Sequence, residues 1–235
     1  RQGAHLITHR PSLPPGCLTR RAPCATIEHM FLQGSLLGVR PPGIDPTFAG
    51  AERRHLSGAT WVEWVPHWLS GADDLFHELT AALPLRQRTG IRMYDRFVDE
   101  PRLTAWWSVA DGGPEVPPLL QRIRHLLAER YAEPFDSVGF NLYRDRHDSV
   151  AWHADRHRHV VADPVIAIVS VGRPRPLRLR PRGGGPSIAY SLGEGDLFVM
   201  GGACQHEWEH CVPKLSHEPG PRLSITYRCL ARAPL

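Results

Sequence analysis

The chain has 235 residues, a formal charge of +4, 42% hydrophobic residues and seven tryptophans. This length suits one domain with a full core, or at most two small ones. No stretch approaches the roughly 20 apolar residues of a membrane span, and Pro11, Pro14, Pro15 and Pro23 interrupt the N-terminal segment where a signal-peptide core would stand. A soluble cytoplasmic enzyme without a membrane partner is the expectation.

Residues 1–55 are rich in Pro, Gly and Arg, with a short apolar run at Phe31–Val39. They read as a disordered or loosely ordered extension, and Met30 offers a start after its first part. The folded domain is expected over 56–235, opening at Ala59–Leu69 with Trp61, Trp64 and Trp68. Ser70 then opens a helix whose Leu75, Phe76, Leu79 and Leu83 share one stripe before Pro84. Arg86–Ser108 reads as irregular strand and loop, and Asp111–Pro118 as turn. A second helix starts at Pro117 and buries Leu119, Leu120, Ile123, Leu126 and Leu127.

After Pro134 the pattern changes to short strands punctuated by Gly and Pro. Candidates are 137–144, 164–172, 176–180, 187–192, 196–200, 207–212 and 223–230, with Gly183–Pro186 and Gly193–Gly195 as hairpin connections. Helices followed by strands indicate an α+β domain whose strands form a double-sheet jelly roll.

Arginine supplies nearly all of the positive charge, Lys214 being the only lysine. The stretch from Arg144 to Arg182 holds nine arginines against four acids, either a phosphate-facing rim or a solvated strand face. Five cysteines (Cys17, Cys24, Cys204, Cys211, Cys229) are odd in number and lack metal-ligand spacing, which fits a reducing compartment. Cys211 follows His210 and would point away from it on a strand.

His153-Ala-Asp155 and a histidine several strands later supply two imidazoles and a carboxylate. That set holds Fe(II) on one face and leaves positions for a co-substrate and dioxygen. Spacing leaves His206 and His210 both open as the third ligand. Further on, alternation over 222–229 puts Leu223, Ile225, Tyr227 and Cys229 on one face and Arg222, Ser224, Thr226 and Arg228 on the other. Two arginines on one strand face clamp a small dicarboxylate. Upstream, Asn141 and Tyr143 share a face of the strand leading to His153. Iron site and clamp together read as a 2-oxoglutarate-dependent oxygenase.

The ordered set Gln87–Gly90, Pro101–Trp106, Asn141–Arg144, His153–Asp155, Trp208–Lys214 and Pro221–Arg228 resembles the AlkB family of iron- and 2-oxoglutarate-dependent dioxygenases. Its fold is a double-stranded β-helix. The resemblance selects His210, within His210-Cys-Val-Pro213, as third ligand beside His153 and Asp155, and leaves His206 as a supporting or surface residue. It implies that Asn141, Tyr143, Arg222, Ser224 and Arg228 surround 2-oxoglutarate. It also implies decarboxylation to succinate and CO2, hydroxylation of an N-alkyl carbon on a nucleobase, and release of an aldehyde.

The substrate would be alkylated DNA or RNA, single-stranded or with its base flipped out, met by a monomer. Trp106, Trp107, Arg144 and Arg156 are the substrate-side candidates. Three features depart from the family: Ser224 replaces a usual Asn, Arg156 and His157 follow Asp155 where acidic residues are common, and the lid segment after Trp107 is short. Alternatives are the same chemistry on a protein or small molecule, or a non-catalytic nucleic-acid-binding jelly roll.

Overall fold

The computed structural model describes residues 41–93, 95–109, 117–155 and 163–229. The first half forms β1 (Gly43–Ile44), β2 (Glu52–Ser57), β3 (Thr60–Val65), β4 (Leu69–Ser70), α1 (Ala72–Ala82), β5 (Ile91–Met93), β6 (Arg96–Val98), β7 (Leu103–Ser108) and α2 (Pro118–Tyr131). The second half forms β8 (Ser137–Tyr143), β9 (Val150–His153), β10 (Ile166–Gly172), β11 (Arg175–Pro181), β12 (Ile188–Leu192), β13 (Asp196–Gly201), α3 (Cys204–Glu207), β14 (Trp208–Val212) and β15 (Arg222–Arg228).

Two antiparallel sheets face each other. The larger runs β2-β3-β13-β10-β15-β8-β7 and the smaller β12-β11-β14-β9. Strand β10 shows why the sandwich needs helices as well. All seven of its residues are buried, because Ile166 and Ile168 pack between the sheets while Ala167, Val169 and Val171 pack outward. The outward layer is covered by the apolar stripes of α1 (Leu75, Phe76, Leu79) and α2 (Leu120, Ile123, Leu127). Burial on both faces turns the period-2 pattern into a continuous apolar run. The α+β jelly roll expected from the element order is the fold observed.

The expected domain start near residue 56 lies too late. Strands β1 and β2 already belong to the structure. The Asp45 carboxylate accepts bonds from the Thr47 amide and hydroxyl (2.8 and 2.6 Å) and the Ala49 amide (2.9 Å). Phe48 stacks on Trp68 at 5.4 Å with Arg130 over its ring at 4.1 Å. The Asp45 turn is local, but the Phe48 contacts with Trp68 and Arg130 bridge distant positions, so local composition does not display them. Residues 1–40 lie outside the described residues.

Two boundaries also shift. Helix α1 is capped by Gly71 in a left-handed conformation, not by Ser70, whose hydroxyl donates to the Gly43 carbonyl at 3.3 Å. Gly193–Gly195 is not a hairpin, since β12 and β13 sit in different sheets. Glu194 and Gly195 take positive φ (50° and 96°) to carry the chain between them.

Candidate active site

Cross-strand pairing assembles the site. In the smaller sheet His153 on β9 lies opposite His210 on β14, with ring centroids 4.3 Å apart. Asp155, just past β9, joins them, and ligand atoms of all three lie within 4.8 Å of one another. His206 is exposed on α3, so His210 is the histidine brought to Asp155. Cys211 faces away and is buried, as alternation requires.

The electrostatics suit a cation. Burial of Asp155 works against its ionisation, but Arg228 and the two histidines outweigh it and hold the carboxyl well below the usual range. His210 is pushed down to about 3 by its burial and by His153, leaving a neutral imidazole. His153 fixes its other nitrogen on the Ala151 carbonyl at 2.9 Å. Two imidazoles and an ionised carboxylate at this spacing fit one Fe(II).

In the larger sheet, the register places Asn141 opposite Ser224 and Tyr143 opposite Arg222. All four line a cavity of about 600 Å³ that also contains the histidines and Asp155. The Arg222 guanidinium is buried. Nη2 donates to the Ser170 hydroxyl at 2.6 Å, while Nε and Nη1 have no partner among the described residues. Burial pushes it down to about 10. Two unpartnered guanidinium donors in a cavity wall fit a carboxylate. The Ser224 hydroxyl is hydrogen-bonded to that of Thr226 at 3.2 Å.

Arg228, the second arginine of the expected clamp, also meets the triad. It lines the cavity, and its guanidinium is forked onto Asp155 (Nε–Oδ2 3.0 Å, Nη2–Oδ1 3.3 Å). The two tryptophans divide. Trp106 lines the cavity and is 49% exposed, whereas Trp107 packs against the helix-side core. Arg144 is not part of the cavity lining and pairs with Asp148 through Nε (2.8 Å) and Nη2 (3.0 Å). Arg156, His157 and the segment 110–116 lie outside the described residues.

Three neighbours escape sequence reading. Arg102 Nε donates to Asn141 Oδ1 at 2.9 Å, leaving the Asn141 NH2 as donor toward the cavity. Its alternation with Thr104 and Trp106 is the signal that could have found it. Gln205 Oε1 accepts the Asp155 amide at 3.0 Å, a contact across 50 residues with no local signature. Arg175 is wholly buried in what reads locally as an ordinary strand.

A jelly roll with this facial triad and a buried cationic cleft defines an iron- and 2-oxoglutarate-type oxygenase. The chain belongs to the 2OG-Fe(II) oxygenase superfamily, whose pattern matches residues 100–228. It is similar to alpha-ketoglutarate-dependent dioxygenase alkB homolog 3 of Bos taurus, 34% identical over 184 residues covering 71% of this chain and 64% of that protein. It is also similar to DNA oxidative demethylase ALKBH2 of Arabidopsis thaliana, 28% identical over 180 residues covering 60% and 57%. The chain thus spans under two thirds of the length of these relatives. The solved structure titled "The structure of OsALKBH1" shares the fold, with a TM-score of 0.54 at 12% identity over 75% of this chain and 99% of that one. Among the described residues no helix is long and apolar enough to cross a membrane.

Proposed function

We propose that this chain oxidatively dealkylates N-alkylated bases in DNA or RNA, with His153, Asp155 and His210 holding the iron. The carrying observation is one cavity with two unlike ends. The Arg222–Ser224 end is buried and cationic, while the other opens past Trp106, an indole 49% exposed. Iron with 2-oxoglutarate supplies the oxidising power when bound, coupling decarboxylation of the keto acid to transfer of one oxygen atom from O2 to the substrate.

The protein's own part is positional. Arg222, Tyr143, Ser224 and the Asn141 amide receive the keto acid, and Arg228 holds Asp155 in place. Trp106 offers a face for a base taken out of the stack or from a single strand, after which the hydroxylated N-alkyl carbon departs as aldehyde. Trp107 and Arg144 have no place in this scheme, being packed in the core and paired with Asp148. Arg156 remains a proposed phosphate contact. A monomer in the cytoplasm is the proposed working form.

The test is anaerobic loading with Fe(II), then oxygen-dependent succinate release with and without a methylated single-stranded oligonucleotide, His153→Ala serving as control. Succinate and formaldehyde appearing together only with the methylated strand is the expected result. Succinate that ignores the oligonucleotide would move the substrate to a protein or small molecule. Its absence from folded, loaded protein would leave a binding module.

A further inference from the structure

Tyr143 sits beside two buried guanidiniums. The Arg175 and Arg222 guanidinium carbons lie over its ring at 5.3 and 5.6 Å from the centroid, and the side chains are 0% and 1% exposed. Among the described residues neither is ion-paired. Asp148 is committed to Arg144, Asp145 accepts the His147 and Asp148 amides, and Asp196 accepts the His67 and Gly193 amides. Arg175 donates to the Asp145 and Asp148 carbonyls at 2.6 and 2.8 Å, and its Nε has no partner among the described residues. Asp145, Asp148 and Glu218 act on Arg175, and Asp196 on Arg222, only without direct pairing, so burying these two guanidiniums is costly and an anion placed beside them offsets that cost.

The register says which anion. Arg222 and Arg228 stand at opposite ends of β15, opposite Tyr143 and Ser137 respectively. Arg228 is tied to Asp155 of the triad. A keto acid whose 2-oxo-carboxylate end lies at the triad therefore turns its distal carboxylate toward Arg222. Arg175 does not line the cavity, so its charge acts from behind Tyr143. We infer that Arg175 is a positioning residue for the distal carboxylate of 2-oxoglutarate, fixing Tyr143 and adding a second buried positive charge behind Arg222. This rests on membership of the oxygenase family and holds whatever the oxidised substrate is.

The test is calorimetric titration of the full chain loaded with Mn(II), a readout that needs no turnover. Two ligands are compared: 2-oxoglutarate, and 2-oxobutyrate, which keeps the 2-oxo-carboxylate end but lacks the distal carboxylate. Arg175→Gln is expected to weaken 2-oxoglutarate about ten-fold while leaving 2-oxobutyrate within about two-fold. Arg175→Lys keeps the charge without both carbonyl bonds and is expected to weaken 2-oxoglutarate by about three-fold, again selectively. Parallel loss for both ligands, or no loss, overturns the inference. If Arg175→Gln does not fold, the Arg175→Lys comparison decides by the same criterion. Selective loss in a protein that dealkylates nothing leaves the inference standing and removes only the base substrate. A wild-type chain that binds neither keto acid overturns it.

Discussion

Asp155 meets three demands: its carboxylate faces two imidazoles, receives the Arg228 fork, and belongs to a residue whose amide is held by Gln205. A ligand with two free torsions stays aimed only if its neighbours hold it. Gln205 is 4% exposed and also reaches Met200 Sδ at 3.8 Å, so replacing it by Leu conserves bulk but strips the amide of its acceptor. Gln205→Leu is expected to weaken metal binding about ten-fold, read by titrating the apo-protein with Mn(II). Unchanged affinity would show that Arg228 suffices. Gly139 tests the opposite wall. A Cβ there would come 2.9 Å from Arg228 Nη1 and 3.1 Å from the Trp106 ring. Gly139→Ala should therefore shift both groups and lower kcat/KM by about ten-fold, while thermal stability stays near wild type. A collapse in stability instead would place the effect in packing.

Elements differ in how plainly the chain announces them. Helices α1 and α2 show in the Leu and Ile stripes because a one-sided helix keeps its 3.6 period. Strand β15 shows in its alternation because its two faces meet unlike surroundings: Leu223, Ile225 and Tyr227 the core, Arg222, Ser224 and Thr226 the cavity. Of the triad, the His153-Ala-Asp155 motif is legible in the chain, whereas spacing leaves His206 and His210 open and only the family resemblance chooses between them. Strands β1 and β2 were not legible, since Phe48 gains its burial from Trp68 and Arg130. Nor was the Arg228–Asp155 pair, formed across 73 residues. Gly195 was legible as a turn glycine but not as the crossing between sheets. Its φ is 96°, its amide and carbonyl bond Ser170 and Leu69, and a Cβ would collide with the Leu69 carbonyl. Gly195→Ala is expected to cost about 2 kcal/mol or more, measured by denaturant unfolding. A cost below about 0.5 kcal/mol would mean that the crossing relaxes freely.

At the scale of the whole molecule, Glu63 is the charged group that joins the far edge of the larger sheet to the helices. It sits on β3, 4% exposed at its side chain. It receives Arg53 of β2 at 2.8 Å, and Arg130 and Tyr131 of α2 at 2.9 and 2.6 Å. Burial alone would raise its pKa. The Tyr131 hydroxyl and the two arginines outweigh burial and hold it below its ordinary value of 4.5. A carboxyl depressed in the folded state contributes stability that is complete above the unfolded value and is lost as pH falls through the folded one. Above pH 4.5 both states are ionised and the network is whole. Below it the unfolded chain takes up the proton first, and unfolding gains. Glu63→Gln keeps the shape and removes the charge. Its partners are part-exposed, so the expected cost near neutrality is about 1–2 kcal/mol. The difference between wild type and variant should shrink steadily as the solution is acidified below 4.5, because the wild-type carboxyl is then neutralised too. Thermal melts of both proteins across that range measure it. A gap that stays constant to the lowest pH at which both fold would mean that Glu63 acts through hydrogen bonding alone, without its charge.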